Sequence, residues 1–203
     1  MGRKGEIVGA WSGVVAILLF MFSWIFCFGW VMPPSPSLNA EEIKAVFESN
    51  LTGIRVGAIL CMDAGALTTV FWAMIMICML RMKGPSPLYA YTQFGTGALQ
   101  VMLFVLPAEI WAAAAYRTQR AAENTQFGND LAWMIFDMPV GLTMLQMMSI
   151  GIAVLLDEGP RRVFPRWFGY YTLWSSFGYL CNHLILLFKT GPFAWDGLLG
   201  WYI

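Results

Sequence analysis

Residues 54–80 read IRVGAILCMDAGALTTVFWAMIMICML, and only Arg55 and Asp63 interrupt their apolar character. A helix of this composition has no polar face to turn toward water, which excludes the surface helix of a soluble domain. At a rise of about 1.5 Å per residue, about 20 residues cross the roughly 30 Å hydrocarbon core of a bilayer. The stretches 8–32, 89–115, 130–156 and 167–188 meet the same requirement. The expected fold is all-α: a single polytopic membrane domain over 1–203, with five transmembrane helices and a short helix in an outer loop. A further apolar stretch from Phe193 to Ile203 is too short to cross. Either the chain ends at the membrane surface or a sixth helix is missing from it.

Composition supports this reading. Hydrophobic residues make up 59% of the chain and charged residues 12%, a balance that requires apolar side chains to meet lipid. Twelve Lys and Arg cancel twelve Asp and Glu, so nothing in the charge points to nucleic acid. The expected partners are the bilayer and another membrane protein or a second copy of the chain. Cys27, Cys61, Cys78 and Cys181 lie in apolar runs without CxxC spacing and read as small buried hydrophobes. The run after Arg3 and Lys4 stays apolar to Met32 with no small-residue cleavage site, so it reads as a retained span.

Pro33, Pro34 and Pro36 end the first span, because proline lacks the N–H that would continue a helix. Asn39 and Glu42 have the spacing of a capping box and predict a short helix over 40–49 outside the membrane. In that helix Ile43, Val46 and Phe47 form one apolar stripe. Asn50-Leu51-Thr52 matches a glycosylation acceptor, a three-residue signal of low specificity. The alanines at 112–115 suit a close helix contact, and Trp30, Trp167 and Trp201 suit an interfacial belt.

Basic residues near the span ends favour a cytoplasmic N-terminus. That side would hold Arg3, Lys4, Arg81, Lys83, Arg161, Arg162 and Arg166, against Lys44, Arg55, Arg117, Arg120 and Lys189 opposite. The expected location is the bacterial cytoplasmic membrane.

Four ionisable residues fall inside the spans: Asp63, Glu109, Asp137 and His183. A charged group at a helix centre costs about 2.5–3.5 kcal/mol on insertion scales, so each calls for a compensating role. Counted inward from the basic or acidic residue at the outer end of its span, each lies roughly 9–13 Å deep. The alternating directions of the helices put all four in one outer-half layer. Pro107 and Pro139 stand close to Glu109 and Asp137, and each would bend its helix and free a carbonyl there. The functional expectation is a polar cavity that binds a hydrophobic small molecule or a partner membrane subunit. A buried carboxylate pair doing acid–base chemistry on a lipid-soluble substrate is the alternative, and an ion- or proton-coupled carrier the next. The opposing structural reading is that these groups hydrogen-bond internally, for example to Asn182, Gln146 or a freed carbonyl. No ExxH or HxxxH spacing supports a metal, and haem ligation by His183 rests on chemistry alone, so no cofactor is assigned.

MPPSPSLNAEEI, LYAYTQFGTGA, ENTQFGNDLAW and VFPRWFGYYTLW followed by KTGPFAWDGLL occur in that order. From about Met32 onward the chain resembles a family of uncharacterised multi-helix membrane proteins of actinobacteria and sphingomonads. The resemblance implies a further hydrophobic helix after FAWDGLL, from which this chain departs by stopping at Ile203, and it implies no activity, cofactor or catalytic residue.

Overall fold

The computed structural model describes residues 2–201, and the regular elements among them are all helical. In chain order these are α1 (Gly2–Phe22), a π-helical turn (Ser23–Phe28), α2 (Ala40–Ser49), α3 (Leu51–Met79), α4 (Pro87–Ala114) and α5 (Ala122–Asp137). Then come α6 (Val140–Leu156), α7 (Arg166–Gly178), a 3-10 helix (Tyr179–Leu186) and α8 (Leu198–Trp201). Four stretches are long and apolar enough to cross a membrane: Lys4–Phe28, Leu51–Met79, Pro87–Ala114 and Ala122–Leu156. Their most apolar windows are only 22–39% buried within the chain, so most of that surface faces outward, where lipid rather than protein would cover it.

The second and third spans fall within three residues of their expected limits, whereas the others differ for identifiable reasons. Span one begins earlier and stops at Gly29, whose φ of 72° is a left-handed conformation that glycine adopts without penalty. The expected span 130–156 is two helices separated by Met138 and Pro139, and the first of them starts at Ala122. Pro139 lacks the N–H needed to carry the ladder on. Pro107, by contrast, stays inside an uninterrupted α4. The expected span 167–188 is not one α-helix, for α7 ends at Gly178 and a 3-10 helix follows.

The chain divides into two compact units, with α1, α3 and α4 contributing a part to each. One unit comprises Ala16–Gly65, Met102–Pro139 and Cys181–Ile203. Its core is aromatic: Trp24, Trp30, Trp111, Trp133 and Trp195 are each 5% exposed or less, together with Phe28 and Phe47. Trp30 is therefore a core residue and not an interfacial one, whereas Trp167 is exposed and the Trp201 side chain lies outside the described residues. Helix α2 forms as its capping box requires. The Asn39 side chain accepts from the Glu42 N–H (3.0 Å) and the Glu42 carboxylate accepts from the Asn39 N–H (2.8 Å). Ile43 and Phe47, four residues apart, are buried, and the helix packs on α5.

The other unit comprises Met1–Val15, Ala66–Val101 and Val140–Leu180. Ile75, Met79, Ile150, Ala153 and Val154 form its apolar core, and α6 packs along α7. Cys27, Cys61 and Cys78 are buried free thiols and Cys181 is half-buried.

Candidate functional site

Helices α3 and α4 run antiparallel in the aromatic unit, and side-chain contacts join them at two places. The Arg55 guanidinium donates to the carbonyl of Ala115 from Nε (3.1 Å) and Nη2 (2.6 Å), and from Nη2 to that of Tyr116 (3.2 Å). It thereby satisfies carbonyls that the end of α4 leaves free and places a cation at the negative end of its dipole. Further along, the Cys61 thiol points to the Phe104 carbonyl at 3.7 Å.

Asp63 follows Cys61 by two residues, away from the Arg55 end, whereas Glu109 lies five residues from Phe104 toward that end. Counted from the Cys61–Phe104 contact they stand seven residues apart along the bundle, roughly 10 Å, and counted from the Arg55–Ala115 contact, made by a long side chain, two residues apart. Both are exposed, and each continues an outward apolar stripe: Val56, Ile59, Asp63 on α3 and Met102, Leu106, Glu109 on α4. Among the described residues, neither forms a hydrogen bond or an ion pair. His183 is exposed on the 3-10 helix.

Asp137 differs from these three. It is the last residue of α5, one turn beyond the fully buried Trp133, and its Oδ2 atom is sealed from solvent without accepting a hydrogen bond. The sequence predicts a bend at Pro139, and the structure has a full break at Met138 and Pro139, which sets Asp137 at a helix end. Among the described residues, no three His, Cys, Asp or Glu side chains stand close enough to share one ion. The structure thus presents three ionisable groups outward and one inward, and gathers no three of them at ion-sharing distance.

No protein-family model, curated protein or solved structure matches this chain. Its chemistry must therefore be read from its own side chains.

Two internal features escaped the sequence reading. The first is the tryptophan cluster, whose neighbouring ring centroids lie 5.1–6.0 Å apart. An aromatic cage for a cationic ligand holds the cation between rings, about 6 Å or less from each centroid, and so needs open space among them. Here the rings fill the space with one another, mostly edge-on or tilted, with Trp133 and Trp195 stacked. The cluster is packing, and Trp195 adds a tether by donating from Nε1 to the Pro34 carbonyl at 2.8 Å.

The second is a layer of buried amides and hydroxyls in the other unit. Gln93 and Gln146 are almost fully buried, yet both side-chain polar atoms of Gln93 and Oε1 of Gln146 accept or donate no hydrogen bond. Gln146 Nε2 points to the Gln93 carbonyl at 3.5 Å, and Gln100 Nε2 donates to Thr143 Oγ1 at 3.3 Å. Gly97 makes the approach of these helices feasible, since a Cβ there would run into Gln146 Nε2 and stand 2.8 Å from the Trp72 ring. Buried amides left unpaired are costly, so this layer is suited to bridging water or a small polar group. Glutamines spaced across α4 and α6 were the available signal, but no motif marks them.

Proposed function

We propose that this chain is a component of the bacterial cytoplasmic membrane, N-terminus inside, that binds a partner membrane segment through the α3–α4 face bearing Asp63 and Glu109. One observation supports the reading: two carboxylates stand unpartnered on outward apolar stripes of helices long enough to span. An ionisable group at such a position is expensive against lipid, and such groups almost always face protein or water. A partner segment that brings a hydrogen-bond donor or a cation to each carboxylate removes the cost. The partner is another membrane protein or a second copy, and a hydrophobic small molecule with a polar group is the competing occupant of the same face.

A fifth crossing belongs to this reading. The segment 166–186 combines thirteen α-helical residues with eight in a 3-10 helix. At about 1.5 and 2.0 Å per residue it reaches about 35 Å, enough for a bilayer core although the α-helical part alone is short. The C-terminal residues would then lie opposite the N-terminus, on the outer side.

A second reading rests on Asp137, whose sealed Oδ2 suits a proton held in an apolar site, as acid–base chemistry on a lipid-soluble substrate would need.

The test is the mass of the full chain extracted in lipid nanodiscs directly from its native membrane. The wild type should carry a defined protein partner or a second copy, and the Asp63→Asn/Glu109→Gln variant should lose it while keeping its tryptophan near-ultraviolet dichroism. A wild type that is monomeric in such discs contradicts the proposal.

A further inference from the structure

At one end of the unit that holds the amide layer, positive charge is in excess. Two acids there are already occupied. Glu6 is held by Arg81 through two hydrogen bonds of 2.9 and 3.1 Å. Asp157 is buried and accepts N–H groups from Lys83 (3.2 Å), Gly159 (2.9 Å) and Val163 (3.1 Å). These bonds fix the loop 157–165 against the loop 81–86, which brings Lys83, Arg161, Arg162 and Arg166, all exposed, to one end of the unit. Among the described residues none of the four forms an ion pair, and the exposed acid left at this end is Glu158. Helix α7 leads away from the cluster with Trp167, Tyr170, Tyr171 and Trp174 exposed, Trp167 by 67% and Trp174 by 78%.

We infer that this end binds anionic phospholipid headgroups, the arginines of 161–166 contacting phosphate while the α7 aromatics lie among the acyl chains and glycerol backbones. Arginine offers a planar fork of donors that suits phosphate oxygens, and three arginines within six residues supply it repeatedly. The aromatic rings distinguish a lipid from a dissolved anion: Trp and Tyr with exposed faces beside a basic cluster suit the headgroup boundary. A soluble phosphate would need the cations alone. This inference depends on the chain lying in a bilayer but is independent of what meets Asp63 and Glu109.

The experiment is native mass spectrometry of the full chain in detergent, titrated with phosphatidylglycerol and, separately, phosphatidylcholine. The wild type should retain phosphatidylglycerol preferentially. Each cation near a membrane surface contributes about a fivefold preference for anionic lipid, so Arg161→Gln/Arg162→Gln/Arg166→Gln should lower the preference on the order of a hundredfold. The corresponding triple lysine variant should keep most of it, which separates lost charge from lost folding. Equal retention of the two lipids by the wild type overturns the inference, as does an unchanged preference in the triple glutamine variant. Displacement of phosphatidylglycerol by millimolar inorganic phosphate would identify a free-anion site and overturn it equally.

Discussion

The side-chain amide of Asn50 donates to the carbonyl of Cys27 at 2.7 Å and to that of Phe28 at 3.2 Å, tying the start of α3 to the end of the first span. The two carbonyls belong to a π-helical turn that Gly29 terminates, so they would otherwise lack partners. Replacing Asn50 by Ala should therefore destabilise the protein by about 1–3 kcal/mol, the cost of stranding polar groups in a part-buried place. Thermal unfolding in detergent measures it. The glycosylation match at Asn50 meets the same bonds: its amide nitrogen is already committed, and the full chain should carry no glycan there when expressed in a glycosylating host.

Asp157 gives a pH dependence. Burial pushes its carboxyl up, but the N–H groups of Gly159, Val163 and Lys83, with the charge of Arg162, outweigh burial and hold it below the ordinary value of 3.8. A carboxyl depressed on folding stabilises the folded state fully above its unfolded value and loses that contribution as pH falls through the folded one. The wild type should lose stability below about pH 4, and Asp157→Asn should both flatten that loss and lower stability at neutral pH. An unfolding midpoint measured from pH 7 to pH 3 checks both. Since the carboxylate joins two loops, proteolysis within 157–165 should also quicken in the variant.

How legible was all this beforehand? The second and third spans were plain, because an all-round apolar run of that length has one physical solution. The capping box placed α2 to the residue. Less visible was the split at Pro139, where two helices of ordinary length replaced the one that hydropathy alone implied. A window average does not register a missing N–H. The 3-10 end of the last long segment was hidden for a related reason, since composition fixes apolarity and leaves the winding to packing. At the candidate site, depth along each helix could be counted, but the direction of each side chain could not. Counting from Arg55 and Arg117 puts Asp63 and Glu109 at similar depth but does not show the outward stripes on which both lie. Trp30 sits near the end of the expected span 8–32, which suggests an interfacial ring, although its neighbours in space are Trp111 and Phe28.

The amide layer yields opposite expectations for two substitutions. Gly97→Ala should destabilise by about 1–3 kcal/mol, because the new methyl runs into the Trp72 ring as well as the end of the Gln146 side chain. Gln93→Leu/Gln146→Leu removes three polar atoms without hydrogen bonds, and one with a long bond, from an apolar interior, so it should be neutral or stabilising unless water bridges them. Unfolding in detergent compares the two. A loss of more than about 2 kcal/mol in the leucine pair would mean that the amides are satisfied in the membrane by a bound polar group.

The aromatic core should be intolerant of truncation. Trp133→Ala opens a void among four other tryptophans and should cost about 3–5 kcal/mol, with loss of the near-ultraviolet dichroism of the coupled indoles. Trp174→Ala, on an outward position, should change stability by less than about 1 kcal/mol.

Partner binding at the α3–α4 face is tested most directly by photo-crosslinking in the intact membrane. A photoreactive residue at Ile59 or Leu106, each beside one of the outward carboxylates, should give a protein adduct of one defined mass. The same probe at Trp11, exposed on α1, should give lipid adducts. Adding Asp63→Asn/Glu109→Gln should abolish the protein adduct from both positions. Lipid adducts alone at Ile59 and Leu106, or a protein adduct that survives the double substitution, would contradict the account.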